Sequence, residues 1–167
     1  MPGFVIRPID PEAHDEVALV AERMRLTLVE VLGEETGGAM YTREWLEDRV
    51  REHLDPARLR GQVFVAVESG GAVAGHTIVR IEEDDGGRAF GVFSTTYVAP
   101  DARRGGVADA LLDRGEAWMR EQQVTVAQTW TSDTNDPLLA LFRKHGYALT
   151  LRVPEKKMVV LSKAFED

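Results

Sequence analysis

Two arginines and two glycines stand together at Arg103–Gly106, directly before a leucine-containing helical pattern. The first amides of a helix have no intrahelical acceptor, and the helix dipole places partial positive charge at the same end. Both effects favour binding of a phosphate or pyrophosphate group. Glycine also lets a ligand approach the backbone closely, and guanidinium groups can add charge-assisted contacts to phosphate oxygens. The segment therefore predicts an anion site; a plain turn with solvated arginines is the alternative.

Several other kinds of chemistry are excluded by what the chain lacks. It contains no cysteine, which excludes disulfides, thiolate metal ligands and an acyl-cysteine intermediate. His14, His53, His76 and His145 are scattered without the spacing of a metal site, so we expect no metal. The motifs G-x-x-x-x-G-K-S/T, G-x-G-x-x-G after a strand, and G-x-S-x-G are also absent. Nucleotide P-loops, dinucleotide folds and serine hydrolases are therefore disfavoured.

Composition and charge indicate an ordinary globular protein. The chain has 167 residues, of which 44% are hydrophobic and 29% charged, enough to bury one core. Its 28 acidic and 20 basic side chains give a net charge of −8, which argues against nucleic-acid binding. No apolar signal core and no membrane-length apolar stretch is present. We expect a soluble cytoplasmic protein with neither nucleic acid nor membrane as a partner.

Hydrophobic spacing predicts the elements that position the arginine–glycine segment. Apolar residues at helical spacing predict helices over 17–31, over 45–54, from Val107 onward and over 136–145, with glycines at 33 and 36–40 ending the first. Runs rich in β-branched residues predict strands over 4–9, 62–68, 72–82, 88–98, 124–130, 147–153 and 157–163. The fold class is therefore α/β (α+β), a single domain over 1–167. We expect a mixed, mostly antiparallel sheet of about seven strands flanked by four helices.

The residues around this segment resemble a known sequence motif. "YVAPDARRGGVADALL", residues 97–112, is similar to the acetyl-CoA motif of the GNAT superfamily of N-acetyltransferases. Arg103, Gly106 and Ala108 occupy the defining positions of the family pattern Gln/Arg-x-x-Gly-x-Gly/Ala. Val98 and Pro100 match the end of the strand that precedes it.

A second block of the chain carries the same resemblance. "NDPLLALFRKHGY", residues 135–147, is similar to the later family pattern Asn-x-x-Ala-x-x-Leu-Tyr-x-x-x-Gly-Phe. Asn135, Gly146 and the aromatic Tyr147 correspond, whereas Phe142 stands where the family usually has tyrosine. Two motifs at the expected separation, with a matching order of elements, imply a GNAT-like fold.

The resemblance implies a binding site for acetyl-CoA as co-substrate. The end of the strand, Thr96–Val98, would pair with the pantetheine arm, and Asn135 would hydrogen-bond to the same arm; a helix cap is the alternative role of Asn135. Backbone amides of the loop would hold the pyrophosphate. The cofactor-binding residues implied in this way are Thr96, Tyr97, Val98, Arg103, Arg104, Gly105, Gly106, Val107, Ala108 and Asn135.

The residues that the family uses for proton transfer are missing. Phe142 has no proton to give to a departing thiolate, and Ser94 stands near the position of a frequent family glutamate. Weak substitutes are Ser94, which by period two shares a strand face with Thr96 and could order a water, His76 as a base, and Glu82 facing the amine entrance. Structural roles for Ser94, Thr96 and His76, and a solvent-exposed Glu82, are the alternatives. Tyr97 and Tyr147 are the remaining proton donors, although Tyr147 is expected to pack in the core. The catalytic residues therefore remain unassigned.

We expect an N-acetyltransferase that moves an acetyl group from acetyl-CoA to a primary amine by direct attack in a ternary complex. A non-catalytic acyl-CoA-binding or sensing module is the alternative. The acceptor would enter near the loop 33–42, where Glu34 and Glu35, together with the acidic run 82–85, would suit a cationic amine; such runs are otherwise solvated surface. The sequence leaves open whether the acceptor is a small molecule or a peptide, and whether the protein forms a homodimer.

Overall fold

Seven strands and five helices form residues 3–165, the part of the chain described by a computed structural model. Residues 1, 2, 166 and 167 of the expected domain lie outside this part. The elements are β1 Phe4–Pro8, α1 His14–Leu32, α2 Glu34–Ala39, α3 Arg43–His53, β2 Arg60–Glu68, β3 Val73–Glu83, β4 Ala89–Val98, α4 Val107–Glu121, β5 Val126–Ser132, α5 Asp136–Lys144, β6 Ala148–Val153 and β7 Met158–Ala164. Short 3-10 turns at Pro100–Ala102 and Pro154–Lys156 follow β4 and β6.

All seven strands form one sheet in the order β1-β2-β3-β4-β5-β7-β6. Every neighbouring pair is antiparallel except β4 and β5, which are parallel. The prediction of a mixed, mostly antiparallel sheet of seven strands is confirmed.

The two parallel strands separate in the middle of the sheet. Gly91–Phe93 of β4 pairs with Ala127–Thr129 of β5, and within the described residues this is the whole of their pairing. Residues 94–98 continue β4 without a partner strand on that side. This gap is the main feature that the sheet contributes to the candidate site.

Helices cover both faces of the sheet and bury a separate core on each. On one face α1 and α3 bury Val17, Val20 and Leu46. On the other face α4 buries Leu111 and Leu112. Helix α4 can approach the sheet because Gly115 has no side chain; a Cβ there would lie 2.4 Å from Cε1 of Phe93. The packing of α4 holds its N-terminus at the end of β4.

The structure contains five helices where the sequence predicted four. The first helix ends at Gly33 as expected, with φ of +88°, but the glycine-rich segment after it is the additional helix α2 rather than a loop. The reason is close helix packing. A Cβ on Gly37 would lie 2.3 Å from the carbonyl oxygen of Leu28 in α1, so glycine is needed for contact between α1 and α2.

The tryptophans divide between the core and the surface. Their positions on apolar helix stripes predict burial of both Trp45 and Trp118. Trp118 is buried, but Trp45 is 46% exposed and stacks on Tyr41 with ring centroids 4.2 Å apart. Trp130 is also exposed, although burial was expected. The prediction fails at Trp45 because Leu46 and Val50 already provide the face that α3 packs on the sheet.

Candidate active site

The loop between β4 and α4 presents a row of unpaired backbone amides. Gly106 is the N-cap of α4 with φ of +85°, and Arg104 also has a positive φ, of +70°. Among the described residues, no protein group accepts a hydrogen bond from the amides of residues 104–109. A Cβ placed on Gly106 would meet open space. The positive φ angles at Arg104 and Gly106, on either side of Gly105, leave consecutive N–H groups accessible at the N-terminus of α4. Anion binding requires such a row of free donors.

These amides lie at a cavity of about 530 Å³. Its walls come from α1, the unpaired end of β4, the loop after it, and the helices α4 and α5. The lining residues are Thr27, Glu30, Val31, Thr96, Tyr97, Val98, Ala102, Arg103, Arg104, Gly106, Val107, Ala108, Asp109, Asn135, Pro137, Leu138, Leu141 and Lys144. The cavity thus joins the unpaired end of β4 to the amide row.

The structure brings the predicted cofactor-binding residues together. Thr96, Tyr97, Val98, Arg103, Arg104, Gly106, Val107, Ala108 and Asn135 all line this one cavity. Gly105 is not part of the lining, although its amide belongs to the unpaired row. The predicted residues come from the end of β4, the loop with the start of α4, and the start of α5. A cavity bordered by a free strand end and a row of N–H donors suits a ligand that carries a diphosphate.

Two of these side chains are already engaged by protein groups. Nε of Arg103 donates to the Val98 carbonyl at 2.9 Å, and its Nη2 forms an ion pair with Glu30 of α1 at 2.8 Å. The alternative for Asn135 is confirmed: its Oδ1 caps α5 by accepting from the amide of Leu138 at 3.4 Å. Its Nδ2 donates to Thr131 at 3.2 Å. A role of Asn135 toward a cofactor remains a prediction.

A β-bulge changes the side-chain alternation at the catalytic end of β4. Residues 93 and 95 of β4 pair with the adjacent residues 79 and 78 of β3, which leaves Ser94 as the extra residue. Phe93 packs in the core under α4, whereas Thr95 bonds to His76 at 3.1 Å on the α1 side. The bulge interrupts strict period-two alternation between Phe93 and Thr95, so a shared face of Ser94 and Thr96 stays a prediction. Thr96 bonds to Thr77 at 2.9 Å.

His76 lies under the cavity wall rather than in the cavity. Its ring is fully buried, its Nε2 is 3.1 Å from Oγ1 of Thr95, and its Nδ1 has no partner among the described residues. Burial, with a smaller contribution from the charge of Arg23, lowers the pKa of His76 to about 3. An imidazole that stays neutral and has no contact with the cavity is poorly placed to take a proton from an acceptor.

Buried histidines make the fold sensitive to acid. Burial also lowers the pKa of His53 to about 4, and both values lie below the 6.5 of an unfolded histidine. Below pH 6.5 the unfolded chain binds more protons, so stability is complete above this pH and is lost as the pH falls toward 4. We expect each buried histidine to remove about 2 kcal/mol of unfolding free energy between pH 7 and pH 5.

Denaturant unfolding at several pH values measures this loss. His76→Gln and His53→Gln are each expected to flatten the pH dependence, whereas His14→Gln, at an exposed position, should leave it unchanged. Equal pH dependence in all four proteins would show that neither ring is buried as described.

Glu82 and the acidic run lie at the wrong end of the sheet for catalysis. In the pairing of β3 with β4, Gly75 is opposite Val98, whereas Glu82 is opposite Phe90. Seven residues of strand separate these positions, a length of about 23 Å. Glu82 forms an ion pair with Arg80 at 2.6 Å. Neither Glu82 as a base nor the run 82–85 as a wall for a cationic acceptor fits this placement.

The two aromatic residues of the second motif pack in the core. Tyr147 donates its hydroxyl hydrogen to the buried Glu116 at 2.7 Å, and burial, followed by this hydrogen bond, raises the pKa of Tyr147 far above its usual value. Glu116 also accepts from Lys163 at 3.0 Å. Phe142 is 1% exposed, as expected. Tyr147 is therefore a structural residue, as its position after Gly146 predicted.

Helix α1 contributes polar residues that the sequence did not predict at the site. Thr27 and Glu30 line the cavity, and Arg23 lies with its guanidinium carbon 5.5 Å from the ring centroid of Tyr97. The three residues are spaced by four and three, so they share a helix face beside the buried stripe. That spacing is visible in the sequence, but what the face meets depends on the end of β4.

Residues 3–165, the described part of the chain, offer neither a metal site built from several side chains nor a membrane span. This part holds no group of three or more histidine, aspartate or glutamate side chains arranged to bind a metal ion. None of its helices is long and apolar enough to cross a membrane.

Sequence comparison relates the chain to acetyltransferases. A model of the acetyltransferase (GNAT) family matches residues 29–147, more than half of the chain. The mycothiol acetyltransferase of Propionibacterium freudenreichii subsp. shermanii is 28% identical over 112 residues. This match covers 67% of the present chain and 34% of that protein, so the chain spans about a third of the length of this curated relative.

Solved structures share the fold over nearly the whole chain. The NatC complex bound to Gag peptide and CoA contains a chain that superposes with a TM-score of 0.78 at 14% identity, covering 98% of this chain and 99% of that one. The yncA protein of Salmonella typhimurium with its cofactor acetyl-CoA superposes with a TM-score of 0.73 at 16% identity, covering 99% and 95%. At such identities the likeness establishes the fold alone.

Proposed function

Because this chain belongs to the acetyltransferase (GNAT) family, we propose that it uses acetyl-CoA to acetylate a primary amine by direct attack in a ternary complex. The single observation that carries this proposal is the cavity that joins the amide row of the loop to the unpaired end of β4. One end of the cavity suits a diphosphate. The other end is where an acceptor and an acyl group can meet.

We assign cofactor binding to the loop and the strand end. The amides of Arg104, Gly105, Gly106, Val107 and Ala108 would hold the diphosphate, with the dipole of α4 adding partial positive charge. Thr96, Tyr97 and Val98 would align the pantetheine arm in the gap beside β4. The side chains of Arg103 and Asn135 border the same cavity and would complete the contacts. When bound, acetyl-CoA supplies a thioester carbonyl carbon as electrophile.

Direct attack follows from the residues that are available. With no cysteine in the chain, a cysteine-linked acyl intermediate is excluded, so the amine nitrogen itself would bond to the carbonyl carbon as the carbon–sulfur bond breaks. A lysine-like amine with a pKa near 10.4 is about 0.1% neutral near pH 7.4. His76 is buried and Tyr147 is bound to Glu116. We therefore propose that the protein contributes chiefly by holding the two substrates together.

A panel of amines tests this function by the release of free CoA thiol. We expect at least one class among amino acids, polyamines, aminoglycosides, sugar amines and peptide N-termini to release CoA above the hydrolysis blank. Mass spectrometry should find the acceptor heavier by one acetyl group. Tight binding of acetyl-CoA in calorimetry without release above the blank for any class would contradict the proposal and favour a sensing module.

A further inference from the structure

Two arginines lie against the same aromatic ring of the cavity wall. The guanidinium carbons of Arg23 and Arg103 are 5.5 and 5.8 Å from the ring centroid of Tyr97, which lines the cavity. Cationic groups at this distance are attracted by the face of an aromatic ring. In the proposed function the acceptor approaches this end of β4, where Arg103 lines the cavity and Arg23, just outside the lining, contacts the cavity-wall residue Tyr97.

In the described structure a carboxylate contacts Arg103 but none contacts Arg23. Arg103 forms an ion pair with Glu30 at 2.8 Å. Arg23 donates through Nη1 to the Val73 carbonyl, and no carboxylate among the described residues lies within ion-pair distance of it. The carboxylate of Asp101 is near enough to attract the charge of Arg23 but forms no ion pair with it. Arg25, on another face of the same helix, has Glu22 at 2.6 Å, so of the two arginines of α1 only Arg23 lacks a carboxylate partner among the described residues.

The free edge of Arg23 is suited to one kind of ligand. The guanidinium is partly buried, and a partly buried charge without a counter-charge is costly unless something binds it. Its Nε and Nη2 donate to no group within residues 3–165, and these two atoms form the edge that a carboxylate contacts with both oxygens. Thr27 and Glu30, one and two turns further along this face of α1, already line the cavity.

We propose that Arg23 binds a carboxylate of the acceptor, which makes the acceptor an amine that also carries a carboxylate, of the amino-acid class. This inference rests on the proposed function and narrows its substrate. It replaces the cationic acceptor expected from the acidic run 82–85, which lies at the far end of β3. Arg23 is here a specificity residue, with no part in bond making.

Matched acceptors test the inference directly. Each of several amino acids is compared with its carboxamide and with its decarboxylated amine, and dipeptides form a further arm that separates free amino acids from peptide C-termini. We expect the wild-type protein to prefer the carboxylate in kcat/KM, although the carboxamide has the less basic amine. In Arg23→Gln the ratio of acid to amide should fall about 10- to 100-fold, through a higher KM, as for loss of a charge-assisted pair.

Two further readouts separate this role from a structural one. Calorimetry should show that the amino acid binds more weakly to Arg23→Gln by the same factor, while the affinity for acetyl-CoA is unchanged. Arg25→Gln, which removes a paired arginine of α1, should leave the acid-to-amide ratio as in the wild type. Equal ratios in wild type and Arg23→Gln, or acetylation confined to amines without a carboxylate, would overturn the inference and leave amine acetylation standing. No acetylation of any amine would instead overturn the proposed function.

Discussion

Replacing Gly106 with tryptophan is expected to abolish detectable binding of acetyl-CoA while the protein stays folded. Gly106 is the N-cap of α4, and the space where its side chain would project is empty of protein. An indole group there would occupy the space in front of the amides of residues 104–109. Loss of two charge-assisted hydrogen bonds, each worth about 1.5–3 kcal/mol, would weaken binding at least about 100-fold. Calorimetric titration with acetyl-CoA measures this loss.

A control substitution at a second glycine distinguishes obstruction of the binding site from the effect of backbone strain. Gly106 has φ of +85°, where any side chain costs roughly 1–2 kcal/mol. Gly87, in the turn between β3 and β4, has φ of +81° and equally open surroundings. Gly87→Trp therefore carries the same strain at the opposite end of the sheet. It should lose the same stability in denaturant unfolding and keep wild-type affinity for acetyl-CoA. Unchanged affinity in Gly106→Trp would refute our placement of the diphosphate.

The grouping of Thr96–Val98 and the loop residues in one cavity could be predicted because its determinants are local. A helix N-terminus needs only a strand end, a turn and a glycine that accepts positive φ, and all three lie within residues 97–108. The order of elements then places Asn135 at the next helix start on the same side of the sheet. The local strand–turn–helix pattern, together with the order of the elements, was sufficient to predict that these residues line one cavity.

Contacts between distant segments could not be predicted from the sequence. The bulge at Ser94 arises from the pairing of β4 with β3, and no residue type at Ser94 requires it. The role of Gly37 depends on how closely α2 approaches α1. The position of Arg23 over Tyr97 joins residues 74 positions apart. For the same reason the sequence could not show that the acidic run 82–85 lies at the far end of β3 from the cavity.

Packing explains why residue 142 is phenylalanine rather than the tyrosine that is usual in the family. A tyrosine at this position would need a partner for its hydroxyl group, since burying an unpaired hydroxyl is costly. Phe142 contacts Phe93 and Tyr147 edge to face, with ring centroids 5.4 and 4.9 Å apart. It occupies the core between α5 and the sheet. Phenylalanine therefore gains stability at a position where the family usually keeps a proton donor.

Phe142→Ala is accordingly expected to lower the unfolding free energy by about 3–5 kcal/mol, the usual cost of emptying a buried aromatic site. The ring is 1% exposed and loses two aromatic contacts, each worth about 0.5–1.5 kcal/mol. Denaturant unfolding measures the loss, and Trp45→Ala is the matched control because Trp45 is also a helical aromatic residue but is 46% exposed. That control should lose about 0.5 kcal/mol. A loss this small in Phe142→Ala would mean that α5 presents another face to the sheet, and the cavity wall formed by Leu138 and Leu141 would have to be placed again.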